Sequence, residues 1–321
     1  MFQTSKLTNS TPAAILLICA TVFWGASFVL TKALGGLQSK LDPRASTWLL
    51  AALSLVARFG GGAVLTGLWN SRRLGGTTQL ELVEGLGLGI FGGAGILLQM
   101  DGVMHTEAST CAFLTQCYCI FIPAFLVWRR REWPGKTLAV ACVMVLAGVA
   151  VLSNVDWGQF RLGRGEWETL ASSALFTAQI LWLERPKFLN NDSRRMTVVM
   201  FAVTALLLTP VVAVNTSGWR QCIALYRPAA ALGIIAFLIL GSTVVAYSIM
   251  NEWQPHVPAT EAGLIYCCEP LFTAIFAVFL PGCLSAWAGV AYANERLTWR
   301  LAAGGGLITA ANLVVLLRKR A

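Results

Sequence analysis

Two ionisable residues lie deep inside apolar stretches of this chain. Glu269 lies within the apolar segment 259–281, directly before Pro270, and Arg58 lies within the apolar segment 46–68. A charge at bilayer depth costs about 2.5–3.5 kcal/mol on insertion scales and is tolerated mainly toward a cavity or a partner. These two residues are therefore the first candidates for recognising a substrate.

Each of the two has a functional and a structural interpretation. Glu269 is either a carboxylate that binds a proton or a substrate amine, or a neutral side chain that stabilises the kink produced by Pro270. Arg58 either binds a carboxylate through its parallel N–H donors, or pairs structurally with a carbonyl or with an acid such as Asp101. The sequence leaves both choices open.

Polar and aromatic residues in other apolar segments extend the candidate site. Gln179 and Trp182 are three residues apart and so share one face of a helix. A tryptophan there either binds an apolar substrate or anchors the helix at the membrane interface. Gln99, Lys32 and Asn251 are weaker candidates. The predicted substrate-binding residues are Glu269, Tyr118, Arg58, Trp24, Ser27, Gln179, Trp182, Tyr247 and Asp101.

The elements that must position these residues are ten apolar segments joined by short connections. Most approach the ~20 residues needed to cross ~30 Å of hydrocarbon, and lipid leaves unpaired backbone groups unsatisfied, so such runs must be helices. Only 12% of the residues are charged, against roughly 25% in soluble domains. We predict an all-α integral membrane protein. Its predicted spans are residues 13–34, 46–68, 84–104, 109–128, 136–153, 166–184, 196–214, 229–250, 259–281 and 300–317.

Lysine and arginine in the connections predict the orientation. With a cytoplasmic N-terminus, fourteen of the 24 cations fall on the cytoplasmic side and nine on the other, and Arg58 stays inside a span. This bias favours both termini inside. The membrane is most simply the bacterial inner membrane, because the N-terminal tail is short and no Arg- and Ser-rich transit segment precedes residue 13; an organellar membrane is the alternative. The net charge of +9 is explained by orientation and by anionic lipid, so no nucleic-acid partner is predicted.

The two halves of the chain repeat each other at a shift near 151 residues. Residues 105–110 align with residues 256–261, and Tyr118 aligns with Glu269. Each half has five segments, an odd number, so the second half must cross the membrane inverted relative to the first. Inverted repeats are typical of secondary transporters.

We predict the first repeat over residues 1–155 and the second, inverted repeat over residues 156–321. An insert near residues 281–292 interrupts the second repeat. Its Trp287 and Tyr292 are residue types that suit a membrane interface. We therefore expect the insert to form an outer interfacial flap.

Four short motifs carry a resemblance to a known family. They are Phe23–Phe28, Ala112–Thr115, Glu269–Phe272 and Glu295–Thr298. The chain resembles the EamA-type branch of the drug/metabolite transporter superfamily. The resemblance implies ten helices in two inverted five-helix repeats, a central substrate cavity, and export or exchange of small metabolites such as amino acids. The chain departs from the family pattern in its insert and in Asn294, which stands where the family has glycine.

Several other patterns do not indicate an enzyme or a metal protein. Residues 87–92 spell G-x-G-x-x-G, but no strand precedes them and they lie within an apolar span, so they predict no dinucleotide site. Gly85, Gly89 and Gly93 instead predict a smooth face for close helix packing. The nine cysteines lack paired metal-ligand spacing. Cys222 and Cys283 would share the outer side, where an oxidising compartment would allow them to pair, and the sequence leaves that pairing open. We predict no enzymatic activity, cofactor or metal.

The function that these features favour is secondary transport of amino acids or related amphoteric metabolites, by alternating access at a central cavity. An intramembrane glutamate and arginine would serve an amine and a carboxylate. The expected partners are the substrate, the bilayer, and a coupling proton or counter-metabolite; the oligomeric state is not predicted. Two alternatives stay open: an exchanger of a nucleotide-derived metabolite, such as a nucleotide sugar or S-adenosylmethionine, and a non-transporting membrane scaffold.

Overall fold

The computed structural model describes residues 10–131, 135–152, 162–296 and 298–318, and within these ranges all regular structure is helical. The helices are α1 Ser10–Leu41, α2 Thr47–Trp69, α3 Ser71–Leu74, α4 Gln79–His105, α5 Ala108–Thr115, α6 Tyr118–Arg130, α7 Lys136–Leu152, α8 Arg164–Leu183, α9 Ser193–Asn215, α10 Trp219–Ala224, α11 Ala229–Phe237, α12 Ala246–Trp253, α13 Ala259–Tyr266, α14 Glu269–Ala288 and α15 Trp299–Arg318. A π-helical stretch, Leu238–Val245, joins α11 to α12, and 3-10 turns lie at Pro186–Phe188 and Gln254–His256.

Seven helical stretches in the described part of the chain are long and apolar enough to cross a membrane. They are Pro12–Leu41, Thr47–Trp69, Gln79–His105, Ala108–Arg129, Ser193–Asn215, Ala229–His256 and Ala259–Ala288. The other three predicted segments fall on α7, α8 and α15, which are shorter or more polar. The predicted repeat boundary at residues 155 and 156 lies outside the described residues.

Two long helical stretches are broken at positions 151 residues apart. The first break separates α5 from α6 and the second separates α13 from α14, so that Tyr118 begins one helix and Glu269 begins the other. At each break the chain makes two successive tight i→i−3 hydrogen bonds, from residues 116 and 117 and from residues 267 and 268. Pro270 explains the second break because it has no N–H to donate. The first occurs without a proline at that position.

Helix α4 packs closely against two neighbours because its glycines leave no side chain in the way. A Cβ on Gly85 or Gly89 would lie 2.7 Å from a valine side chain of α9, which confirms the predicted smooth face. A second glycine series faces α8, where a Cβ on Gly102 would lie 2.9 Å from the Gly165 carbonyl oxygen. Because α8 and α9 both approach α4 at contact distance, the rotation of each helix about its own axis is fixed. This rotation decides which of their side chains point to the centre of the molecule.

The segment predicted as an insert begins within a helix. Residues 281–288 continue α14, which ends at Gly289 in the left-handed conformation with φ 65°. Residues 290–296 then fold back along α14. The Glu295 amide donates to the Ala277 carbonyl at 2.9 Å, and the Gly282 amide donates to the Asn294 side-chain oxygen at 2.6 Å.

Candidate functional site

A cavity of about 50 Å³ lies at the centre of the molecule, where both helix breaks meet. Such a volume holds roughly three to five water molecules and is far below the ~300–1,000 Å³ of typical ligand pockets. The cavity is therefore too small for a typical ligand in this conformation. It is lined by Trp24, Ser27, Arg58, Ile96, Gln99, Thr115, Tyr118, Phe176, Gln179, Ile180, Tyr247, Met250, Tyr266 and Glu269.

The cavity brings together seven of the nine residues predicted as substrate-binding. They come from both halves of the chain and are Glu269, Tyr118, Arg58, Trp24, Ser27, Gln179 and Tyr247. Gln99, a weaker candidate, joins them, whereas Lys32 and Asn251 lie elsewhere. Residues separated by up to 245 positions along the chain thus surround one small space.

Glu269 is positioned by the break in its own helical stretch. It is the first residue of α14, it is 6% exposed, and its backbone carbonyl accepts a hydrogen bond from Thr273 at 3.0 Å. Within the described residues no cation lies within salt-bridge distance of its carboxyl group and no side chain hydrogen-bonds to it. The start of a helix also favours negative charge. Because the Glu269 carboxyl group has no such partner among the described residues, it is free to bind a proton or a cationic group of a ligand.

Arg58 lies on α2 and is 1% exposed. Its Nε donates to the Thr243 hydroxyl at 3.2 Å, its Nη1 lies 3.9 Å from the Met100 sulfur, and its guanidinium lies 5.9 Å from the centre of the Phe59 ring. No carboxylate of the described residues pairs with it. The interpretation in which Asp101 neutralises Arg58 is wrong, and the guanidinium keeps donors for an anion.

Aromatic rings make up much of the cavity wall. The Trp24 ring lies 5.3 Å from Tyr247 and 5.5 Å from Tyr266, centre to centre, and Tyr247 lies 5.5 Å from Phe59. The Trp24 Nε1–H and the Gln179 amide nitrogen are buried and have no hydrogen-bond partner among the described residues. Unpartnered buried donors are rare in folded proteins, and here they line the cavity, as a ligand would require.

Tyr118 occupies in the first half the position that Glu269 occupies in the second. It is 3% exposed, and its hydroxyl donates to the Gln116 side-chain oxygen at 2.6 Å. Ser27 lies one helical turn from Trp24 and donates to its carbonyl at 2.7 Å. Both hydroxyls are held by the chain's own acceptors, so these residues shape the cavity.

Trp182 lies outside this cavity, contrary to the prediction. It is one helical turn beyond Gln179 on α8, and its Nε1–H donates to the Glu84 carbonyl at 3.2 Å. The Arg185 guanidinium stacks 3.9 Å from the centre of its ring. A shared helix face does not mean a shared depth, and one turn of ~5.4 Å moves Trp182 into a second space.

Asp101 also lies outside the cavity. It follows Gln99 by two residues, which turns it by roughly 200° about the helix axis and away from the cavity. Its carboxylate is fully buried and pairs with Arg164, while His105 lies 3.6 Å away and Glu168 completes the cluster. These residues join α4 to the start of α8, so Asp101 stabilises the fold.

The second space is a vestibule of about 1250 Å³ at the end of the molecule that carries Arg129, Arg185 and Lys187. Its walls also include Glu84, Trp182, Asn251 and His256. This is the end that the positive charges predict to be cytoplasmic.

The opposite end is closed by a polar seam around Lys32. Its ammonium donates to the Thr106 carbonyl at 2.7 Å and lies 3.6 Å from the Glu107 carboxylate, while the Thr106 hydroxyl donates to Glu166 at 2.6 Å. The seam joins α1, the α4–α5 turn and α8. Cys222 and Cys283, which would share this side, are both free thiols.

Glu295 belongs to the same closed end. Burial raises the pKa of its carboxyl group, against the opposing effects of hydrogen bonds from Ser109 and the charge of Lys32. The residue therefore keeps its proton to a higher pH than an exposed glutamate.

Sequence reasoning missed three larger residues of the cavity wall, Tyr266, Phe176 and Met250. Tyr266 precedes Glu269 by three residues, and this spacing was the available signal. Phe176 and Met250 gave no signal because apolar side chains are ordinary in every membrane span.

Comparisons with known proteins agree with this geometry. Residues 11–154 match the family described as the EamA-like transporter family. This part of the chain is EamA-like. The protein named "Uncharacterized transporter YwfM" of Bacillus subtilis (strain 168) is 23% identical over 288 residues, which cover 87% of this chain and 90% of that protein. A crystal structure with 17% sequence identity superposes with a TM-score of 0.68 and covers 97% of this chain and 98% of its own, so the fold is shared.

These similarities give the broad class of the chain. Together with the seven long apolar helices in its described part, they support an integral membrane protein that transports small molecules.

Proposed function

We propose that this EamA-like protein is a secondary transporter of amphoteric small metabolites, amino acids or compounds like them, and that it works by alternating access at the central cavity. The observation that carries the proposal is that Glu269 and Arg58 line one cavity without an ion-pair partner for either among the described residues. A buried charge without a partner is costly. A ligand with both an amine and a carboxylate would pair with both.

The architecture proposed for this function is ten spans in two inverted five-helix repeats, residues 1–155 and 156–321. The matching breaks, at Tyr118 and Glu269, support it because they recur at the sequence shift of the repeat and meet at one cavity. Discontinuous helices at a midplane cavity are the usual binding-site design of such transporters. The outer placement of residues 281–292 remains part of this proposal.

The conformation supports alternating access. One end opens into the vestibule, whereas the other end is closed by the polar seam around Lys32. We assign the vestibule to the cytoplasmic side of a bacterial inner membrane, with both termini on that side, because its rim carries Arg129, Arg185 and Lys187. The work comes from a proton or counter-metabolite gradient.

An exchanger of nucleotide-derived metabolites is less well supported. Phosphate groups need several cationic donors, and Arg58 is the one cationic residue among those that line the cavity. Lys32 is held at the closed end by the Thr106 carbonyl. A non-transporting scaffold is also less well supported, because it would bind no ligand to accept hydrogen bonds from the buried Trp24 and Gln179 donors, which have no partner among the described residues.

The test is counterflow of radiolabelled amino acids, nucleotides and S-adenosylmethionine in liposomes that contain the purified protein, with and without a proton gradient. Glu269→Gln and Arg58→Gln should each abolish saturable amino-acid flux because each removes one half of the charge recognition. Thr204→Ser, a small change to a buried hydroxyl on α9, is the matched control and should transport normally. Normal flux in both charge variants, or no flux from the folded native protein, would overturn the proposal.

A further inference from the structure

A thin layer of protein separates the central cavity from the vestibule. Residues along α8 face alternately into the two spaces. Phe176, Gln179 and Ile180 line the cavity, whereas Thr177, Ala178 and Leu181 line the vestibule. At the end of α12 the same alternation recurs, with Met250 in the cavity wall and Asn251 in the vestibule wall.

One buried amide ties this layer together. Gln254 is 1% exposed and lies in the 3-10 turn that follows α12. Its Nε2 donates to the Ile180 carbonyl at 3.2 Å, and its Oε1 accepts from the Tyr266 hydroxyl at 2.8 Å. Both partners line the cavity, whereas the next residue, Pro255, lines the vestibule. Three elements, α8, the turn and α13, are therefore joined by a single side chain that lies between the two spaces.

We propose that Gln254 is the gate residue on the vestibule side of the cavity. While its two hydrogen bonds are formed, the turn Gln254–His256 seals the cavity from the vestibule. When they break, the turn moves away from α8 and α13 and the two spaces become continuous. The role of this opening in transport rests on the proposed function. The seal between the two spaces does not depend on it.

The chemistry of the contact suits a gate that opens repeatedly. Neutral hydrogen bonds have modest net strength because water replaces them once they break, and the large vestibule lies next to the turn. The closed end differs, since its seam includes the Lys32 ammonium and the Glu107 and Glu166 carboxylates.

The seal can be measured without transport. Ser27→Cys, made in a Cys19→Ser background because Cys19 is an exposed thiol on the same helix, places a thiol in the cavity wall. Its reaction with a small methanethiosulfonate reagent on the purified protein can be followed by mass spectrometry of the peptide that contains residue 27. If the cavity opens and closes faster than the thiol reacts, the reaction rate follows the open fraction. Loss of two hydrogen bonds in Gln254→Ala should raise the rate roughly fivefold to a hundredfold, and loss of one in Tyr266→Phe roughly twofold to tenfold.

Two controls separate this gate from general loosening. Ala178→Cys places a thiol in the vestibule and should react at one rate in every background. Tyr226→Phe removes a hydroxyl that lies 3.4 Å from Ser54, outside the layer, and should leave the rate at residue 27 unchanged.

An unchanged rate at residue 27 in both Gln254→Ala and Tyr266→Phe would overturn the gate. If Gln254→Ala does not fold, Tyr266→Phe decides alone because its ring is retained. A faster rate at residue 27 together with no counterflow in the native protein would overturn the proposed function and leave the gate standing.

Discussion

Helix α1 crosses α14 at Gly25, next to the break that positions Glu269, and this crossing gives the sharpest test of the packing. A Cβ at Gly25 would lie 2.8 Å from the Phe272 Cβ, 2.9 Å from the Thr273 amide nitrogen and 3.0 Å from the Glu269 carbonyl oxygen. Two of these three atoms belong to the backbone and cannot rotate away. We therefore predict that Gly25→Ala forces the two helices apart.

The magnitude follows from the contact distances. Ordinary contact begins at 3.4 Å, so the nearest atom at 2.8 Å must retreat by the difference of 0.6 Å. Overpacking of this kind costs about 2–3 kcal/mol. Alanine offsets about 1 kcal/mol because it is the better helix former, which leaves a net loss of stability of about 1–2 kcal/mol.

Gly36→Ala is the matched control because Gly36 lies on the same helix and has nothing within 4 Å of its would-be Cβ. The propensity gain is common to both variants and cancels, so Gly25→Ala should be less stable than Gly36→Ala by about 2–3 kcal/mol. Equilibrium unfolding in mixed micelles with increasing dodecyl sulfate, followed by tryptophan fluorescence, measures this difference. Equal stability of the two variants would refute the close α1–α14 approach.

Three further predictions concern charged groups. Because burial raises the pKa of Glu295, the folded state holds this proton more tightly than the unfolded chain does. Stability should therefore fall as the pH rises from the ordinary glutamate pKa of 4.5 through the raised pKa of the folded state. Melting temperatures recorded below and above this pH range should show a smaller decline for Glu295→Gln than for the native protein. Arg58→Met removes a buried charge that lacks an anionic partner among the described residues. It should raise the free energy of unfolding by about 1 kcal/mol or more and abolish counterflow. A variant less stable than the native protein would contradict this prediction. Glu81→Ala removes the carboxylate that accepts hydrogen bonds from the Thr78 and Asp192 amides. It should lower the free energy of unfolding by about 3 kcal/mol in the same unfolding assay, whereas the control Arg72→Ala, at an exposed position, should cause no measurable change.

Much of the fold could be predicted because the relevant signals lie along the chain. Apolar length predicts the spans, and the described residues of the ten predicted segments fall on helical stretches, seven of which are long and apolar enough to cross a membrane. The repeat shift predicted the equivalence of Tyr118 and Glu269, which begin helices after matching breaks. The glycine spacing in α4 predicted its close packing against α9.

The candidate site was predictable in composition and only partly in membership. Polarity inside an apolar run indicated Glu269 and Arg58 because burial of charge is costly wherever it occurs. Phe176 and Met250 carry no such signal. Trp182 and Asp101 carry it but satisfy their polar groups elsewhere, through the Glu84 carbonyl and Arg164.

The sequence by itself determined that this chain is helical, belongs in a membrane and resembles an EamA-type transporter, because hydropathy and motifs are local properties. Only the tertiary structure decided which side chains share the cavity, that Arg58 pairs with Thr243 and not with Asp101, and that Gln254 lies between cavity and vestibule. The reason is geometrical. A sequence specifies how far along a helix a residue lies, whereas the rotation of that helix is set by the neighbours against which it packs.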